Sequence, residues 1–174
     1  MRTSATGTLS NKGFTLLELV VVLVILAGVT ALVLPRLSAM FDGDTRSTAR
    51  NVVSLLRYLD ERAIAGRTRY RLLVDLDEQR ISVLQISGLG EEQAPDDPFL
   101  LRNPLVGSAR IADLSTERLG TVTSGTIRIP YGPGGLAEPL LLHLGDQNTR
   151  QYTVQALPVN GSVRVAEGNL EILK

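Results

Sequence analysis

From Phe14 to Leu34 the chain runs for 21 residues in which only Thr15, Glu18 and Thr30 are polar. A helix rises about 1.5 Å per residue, so a run of this length covers a hydrocarbon core roughly 30 Å thick. No polar alternation gives it a wet face, and its length exceeds that of an ordinary core segment. The pattern therefore predicts a membrane-spanning helix. A cleavable secretory signal has a shorter apolar run, about 7–15 residues, followed by a small-residue site. Here Ala27, Gly28 and Ala31 lie inside the run instead. The polar leader, residues 1–13, carries Arg2 and Lys12, which favours keeping it on the cytoplasmic side and sending the bulk of the chain across. Arg36, just past the span, pulls weakly the other way.

Glu18 is the anomaly in the run. An isolated carboxylate in lipid costs about 2.5–3.5 kcal/mol. Two readings stand: the side chain snorkels to the interface, or it meets a cation from another chain after assembly.

The chain's 174 residues leave enough sequence beyond the helix for one domain with a real core. Basic and acidic residues number 18 each, so no net charge draws the protein to nucleic acid or to an anionic surface. There is no cysteine and one histidine, His143. Disulfides, thiolate nucleophiles and a histidine-based metal cluster within one chain are thereby excluded. The glycine-rich YGPGG lacks the Lys-Ser or Lys-Thr end of a phosphate loop and reads as a turn. No serine sits in a nucleophile elbow. The sequence offers no enzyme centre and no cofactor site. Glu91, Glu92, Asp96 and Asp97 are oxygen donors, but no calcium-loop spacing frames them, and a solvated loop accounts for them better.

Behind Pro35, which should kink the helix, helical spacing resumes. Ala49, Val52, Val53, Leu56, Leu59 and Ala63 form a stripe broadened by Leu55, expected to pack on a sheet, with Gly66 as the stop. The period then changes to two. Strands are expected near 69–76 and 80–86, short ones at 99–101 and 108–112, and then at TIRIPYG, PLLLHLG, RQYTVQAL, SVRVAE and LEILK. Asn160-Gly161 is the best hairpin signal; with Ser162 it also fits the glycosylation pattern, and the hairpin reading is preferred. His143 is expected on a strand, facing solvent or the domain edge. The fold class is α+β, a long helix against antiparallel sheets. Arg67, Arg69 and Arg71 form a candidate basic row for nucleic acid, extended by Arg128, Arg150 and Arg164 if their strands adjoin. Neighbouring acids make local ion pairs the better reading.

The stretch KGFTLLELVVVLVILAGVTALVLP resembles the class III signal of type IV pilins and type II secretion pseudopilins. That resemblance implies cleavage between Gly13 and Phe14 by a prepilin peptidase/methyltransferase, and N-methylation of Phe14. It implies that Glu18 sets register by pairing with the amino terminus of a neighbouring subunit, and that Pro35 is the helix-disrupting proline. The organisation implied is a cytoplasmic leader (1–13), a transmembrane and filament-core helix (14–34), the second half of the long helix (35–66) and a β-rich periplasmic domain (67–174). The later segments, RYRLLVDLDEQRISV, IRIPYGPGG, LLLHLGD and LEILK, resemble the protein H group of type II secretion (GspH/FimT-like). Unlike disulfide-bearing major pilins the chain has no cysteine, and it shows no calcium loop like that of the major pseudopilin. The implied role is a minor pseudopilin in the inner membrane and the pseudopilus, near its tip. Its implied partners are other minor and major pseudopilins and the inner-membrane assembly platform, with loops between 87 and 125 as candidate contacts. The alternative is a minor type IV pilin acting in pilus assembly, adhesion or DNA uptake.

Overall fold

The computed structural model describes residues 16–146, 149–158, 161–168 and 170. A helix, α1, spans Leu16–Gly66. The strands that follow are β1 (Arg69–Asp75), β2 (Arg80–Ile86), β3 (Glu92–Gln93), β4 (Ile111–Thr116) and β5 (Gly120–Val122). After them come β6 (Thr126–Gly132), β7 (Gly135–Leu136), β8 (Leu140–Asp146), β9 (Thr149–Leu157) and β10 (Ser162–Glu167). The chain divides into two compact units, residues 1–39 and 40–174.

Residues 40–174 hold two five-stranded sheets, ordered β3-β2-β1-β6-β7 and β10-β9-β8-β4-β5. Every pairing is antiparallel. Strand alternation decides what is buried. In β1, Tyr70, Leu72 and Val74 face inward, while Arg69 and Arg71 face out. Leu72 pairs with Val83 on one side and Ile129 on the other, so the apolar rows of three strands coincide. In the second sheet Leu142 pairs with both Leu114 and Val154. The α1 residues Ala49, Val52, Leu55, Leu56, Leu59 and Ala63 are all buried and join both inner faces in one core. Full burial of each leucine contributes about 1.5–3 kcal/mol.

The helix stops by a Schellman arrangement. Thr68 N–H donates to Ala63 O and Arg67 N–H to Ile64 O, with Arg67 at φ 47°. Gly66 is the last helical residue, as its position suggested, but the left-handed residue is the arginine after it. At the β1–β2 turn the Asp75 carboxylate accepts Asp77 N–H and Glu78 N–H, an Asx-type turn closed by Gln79 at φ 52°. The Gln79 amide then donates to Leu76 O and Ile111 O and accepts Ile111 N–H at 2.7 Å, tying this turn to the other sheet.

Two strand expectations need correction. Residues 99–101 form a turn, because the Asp97 carboxylate takes Phe99 N–H and the Asp97 carbonyl takes Leu100 N–H. Leu100 is buried all the same. The strand expected at 108–112 is β4, which begins at Ile111 after a turn containing Gly107 at φ 54° and the Ala109 N–H to Val106 O bond. The short strands β3 and β5 had no sequence signal. Of the LEILK segment, Leu170 is not in a strand and residues 171–174 lie outside the described residues, as do residues 159–160 of the β9–β10 hairpin, whose pairing is nevertheless in place.

Candidate functional site

Leu16–Val33 is long and apolar enough to cross a membrane, and none of its residues is buried within the chain. Its large apolar side chains are 47–80 % exposed. Thr30 is no defect in this surface: its hydroxyl donates to Leu26 O at 2.7 Å, so its polarity is met inside the helix. Glu18 sits exposed in the first turn of the described helix. Gly13 and Phe14 lie outside the described residues. The helical backbone continues through Pro35, so proline does not end the helix; its side chain is outside the described residues.

Part of the candidate basic row shares a face: Arg69 and Arg71 point outward from β1, and Arg128 stands on the same side of the adjoining β6. Arg67 belongs to the helix cap, and Arg69 and Arg71 lie on β1. Arg71 is paired with Glu92, which also lies 3.7 Å from Arg128. Arg128 stands in the sheet of β1, whereas Arg150 and Arg164 belong to strands of the other. The acidic loop is dispersed. Glu92 serves those two arginines, while Asp97 accepts the Tyr58 hydroxyl at 2.5 Å and lies 3.5 Å from Arg62. The Tyr58 hydroxyl, followed by Phe99 N–H, holds the Asp97 carboxyl below the usual carboxylate range, and the same bond pushes Tyr58 up. Among the described residues no group of three or more His, Cys, Asp or Glu is placed to hold a metal ion.

His143 corrects the expectation of a solvent-facing residue. It does lie on β8, but it is 4 % exposed. Its Nδ1 is 2.5 Å from Asp113 Oδ1 and its Nε2 is 3.0 Å from Leu170 O. A carbonyl can only accept, so Nε2 carries the proton in that bond. Asp113, His143 and Thr153 are cross-strand neighbours on β4, β8 and β9. Thr153 donates to Gly168 O at 2.6 Å and accepts Leu170 N–H. The row is a buried seam fastening the segment after β10 onto the sheet.

Two helix acids were missed altogether. Asp44 accepts Ser108 N–H at 3.0 Å, and Asp60 accepts Leu136 N–H at 3.1 Å. A Cβ on Gly107 would stand 2.2 Å from Asp44; on Gly135 or Gly161 it would stand 2.3 or 2.6 Å from Asp60. Polar residues off an apolar stripe read as solvated; the signal that marks these is a glycine turn elsewhere in the chain, which spacing alone does not connect to them.

An exposed apolar helix heading a helix-and-two-sheet domain can be compared with known proteins. Residues 9–34 match the prokaryotic N-terminal methylation motif. A crystal structure of the minor pseudopilin EpsH from the type II secretion system of Vibrio cholerae is similar at TM-score 0.61 and 17 % identity, over 76 % of this chain and 99 % of that one. The fold is the pseudopilin fold. A second EpsH structure, from the same system and organism, agrees at TM-score 0.54 and 19 % identity, over 71 % of this chain and 97 % of that one. No curated protein matches the chain. From Leu16 on, the matched stretch is part of the exposed helix, and the sheets follow it, the order that the sequence resemblance implied.

Proposed function

We propose that the chain is a minor pseudopilin of a type II secretion system, a non-catalytic subunit at or near the tip of the periplasmic pseudopilus that assists export of folded proteins. One observation carries the reading: the methylation motif runs into the exposed apolar stretch Leu16–Val33, and the chain after it has a pseudopilin fold. In this reading a prepilin peptidase/methyltransferase cuts between Gly13 and Phe14 and methylates the new amine of Phe14. Phe14–Leu34 first holds the protein in the inner membrane, with the β-rich domain in the periplasm, and then packs in the filament core. Pro35 kinks the helix. Glu18 meets the Phe14 amine of a neighbouring subunit, and pairing removes most of the cost of a carboxylate in an apolar surround. The assembly platform and the other pseudopilins are its partners.

The test compares proteins in the culture supernatant with and without the gene, and with the gene restored. Loss of a defined set of folded secreted proteins, recovered on complementation, is expected. An unchanged supernatant with altered piliation or DNA uptake would instead assign the chain to a type IV pilus.

A further inference from the structure

Between the second half of α1 and β10 lies a groove of about 480 Å³, lined by Arg50, Val53, Arg57, Val163, Arg164 and Val165. Three features distinguish it. First, β10 is an edge strand, paired only with β9 among the described residues. An edge presents backbone donors and acceptors at strand spacing and is a template for a further strand. Second, the lining is cationic, with no acid in it. Arg62, Arg71, Arg118 and Arg128 each find a carboxylate, whereas Arg50 and Arg164 are exposed and make no ion pair among the described residues. Arg57 is held by the wall, its Nη2 donating to Val163 O at 2.8 Å. Asp60 and Glu61 line the adjoining cleft towards Gly161, which Arg57 and Arg164 also border, and Asp60 is engaged by Leu136 N–H. Glu167 closes the far end of β10. Third, the floor is aliphatic. Val163 is buried, but Val165, on the same face of the strand, is 40 % exposed, and Val53 is only partly covered.

We propose that this groove receives an extended acidic segment of a partner protein. The segment adds to the open edge of β10, sets carboxylates against Arg50 and Arg164, and rests an aliphatic side chain on Val53 and Val165. Guanidinium forks match carboxylates in two-point geometry. The edge strand and valine floor favour a peptide over nucleic acid, which would call for stacking aromatics that the lining does not contain. The inference stands on this surface alone and does not depend on the secretion reading.

The absence of cysteine aside, the full chain can be probed in its own cells with a photoreactive benzoylphenylalanine in place of Val165, and with the same probe in place of exposed Arg118 as control. Mass spectrometry then reads the partner segment. The expected result is an adduct at position 165 but not at 118, joined to a segment in which acidic and aliphatic residues alternate. Combining Arg50→Glu with Arg164→Glu should lower its yield about fivefold or more, through like-charge repulsion. Protease resistance of the double variant, compared with the parent, shows that the fold is retained. A segment without acids, a yield unmoved by the charge reversal, a nucleic-acid adduct, or no adduct above the control would each overturn the proposal.

Discussion

Arg67 closes α1 at φ 47°, a conformation in which a side chain costs energy and glycine does not. Its backbone bonds belong to the cap and do not need the guanidinium. Arg67→Gly should therefore stabilise the protein by roughly 0.5–1 kcal/mol, read from the denaturant midpoint. Asp97 gives a pH signature. Its carboxyl is depressed by the Tyr58 hydroxyl and Phe99 N–H, so the associated stability is complete above the ordinary carboxylate pKa and is lost as pH falls through the depressed one. Unfolding followed from pH 6 to pH 2 should show stability declining below about pH 4, with a shallower decline in Asp97→Asn. Asp75, depressed by Glu78 N–H and the Thr126 hydroxyl, acts in the same window. His143→Ala would remove the buried side-chain bond to Asp113 and the one to Leu170 O, and should cost about 1–3 kcal/mol. The LLLHLG alternation correctly put His143 on the strand face away from Leu142 and Leu144. It gave no hint that this face is covered, because the cover comes from Gly168 and Leu170 and the carboxylate from a strand 30 residues earlier.

The clearest element in the sequence was the second half of α1. Of its predicted stripe, Ala49, Val52, Leu55, Leu56, Leu59 and Ala63 are buried and Val53 is only partly covered, because spacing at 3.6 residues reports a helix side directly. Leu56→Ala should cost about 2–5 kcal/mol in the same unfolding measurement. The hairpins β1–β2 and β9–β10 were equally legible from alternation and turn residues. What alternation could not carry was how two sheets are held to one helix. Asp60 does part of this, with Gly135 of β7 and Gly161 of the β9–β10 turn, one from each sheet, both close against it. Gly135, at φ 84°, is required twice over, by conformation and by contact. Gly135→Ala should destabilise by about 1–3 kcal/mol. Combined with Asp60→Ala, its additional penalty should shrink towards the backbone part alone, which a double-mutant cycle would measure.

At the scale of the molecule, the helix over Leu16–Val33 leaves its large apolar side chains 47–80 % exposed over a length that water does not tolerate. In the proposed reading lipid or other subunits cover it; the apolar run itself was legible in the first 35 residues. The strand order was not, since β6 lies beside β1 and β8 beside β4 across long intervening segments. If Glu18 serves assembly rather than insertion, Glu18→Ala should leave the protein in the membrane fraction while abolishing its co-isolation with other pseudopilins. The intact mass of the protein, extracted from membranes of its own cells, tests the proposed processing at Gly13–Phe14 most directly. The expected mass is that of a chain that begins at Phe14 and carries one added methyl group. A chain that retains residues 1–13, or that begins elsewhere, would contradict that processing.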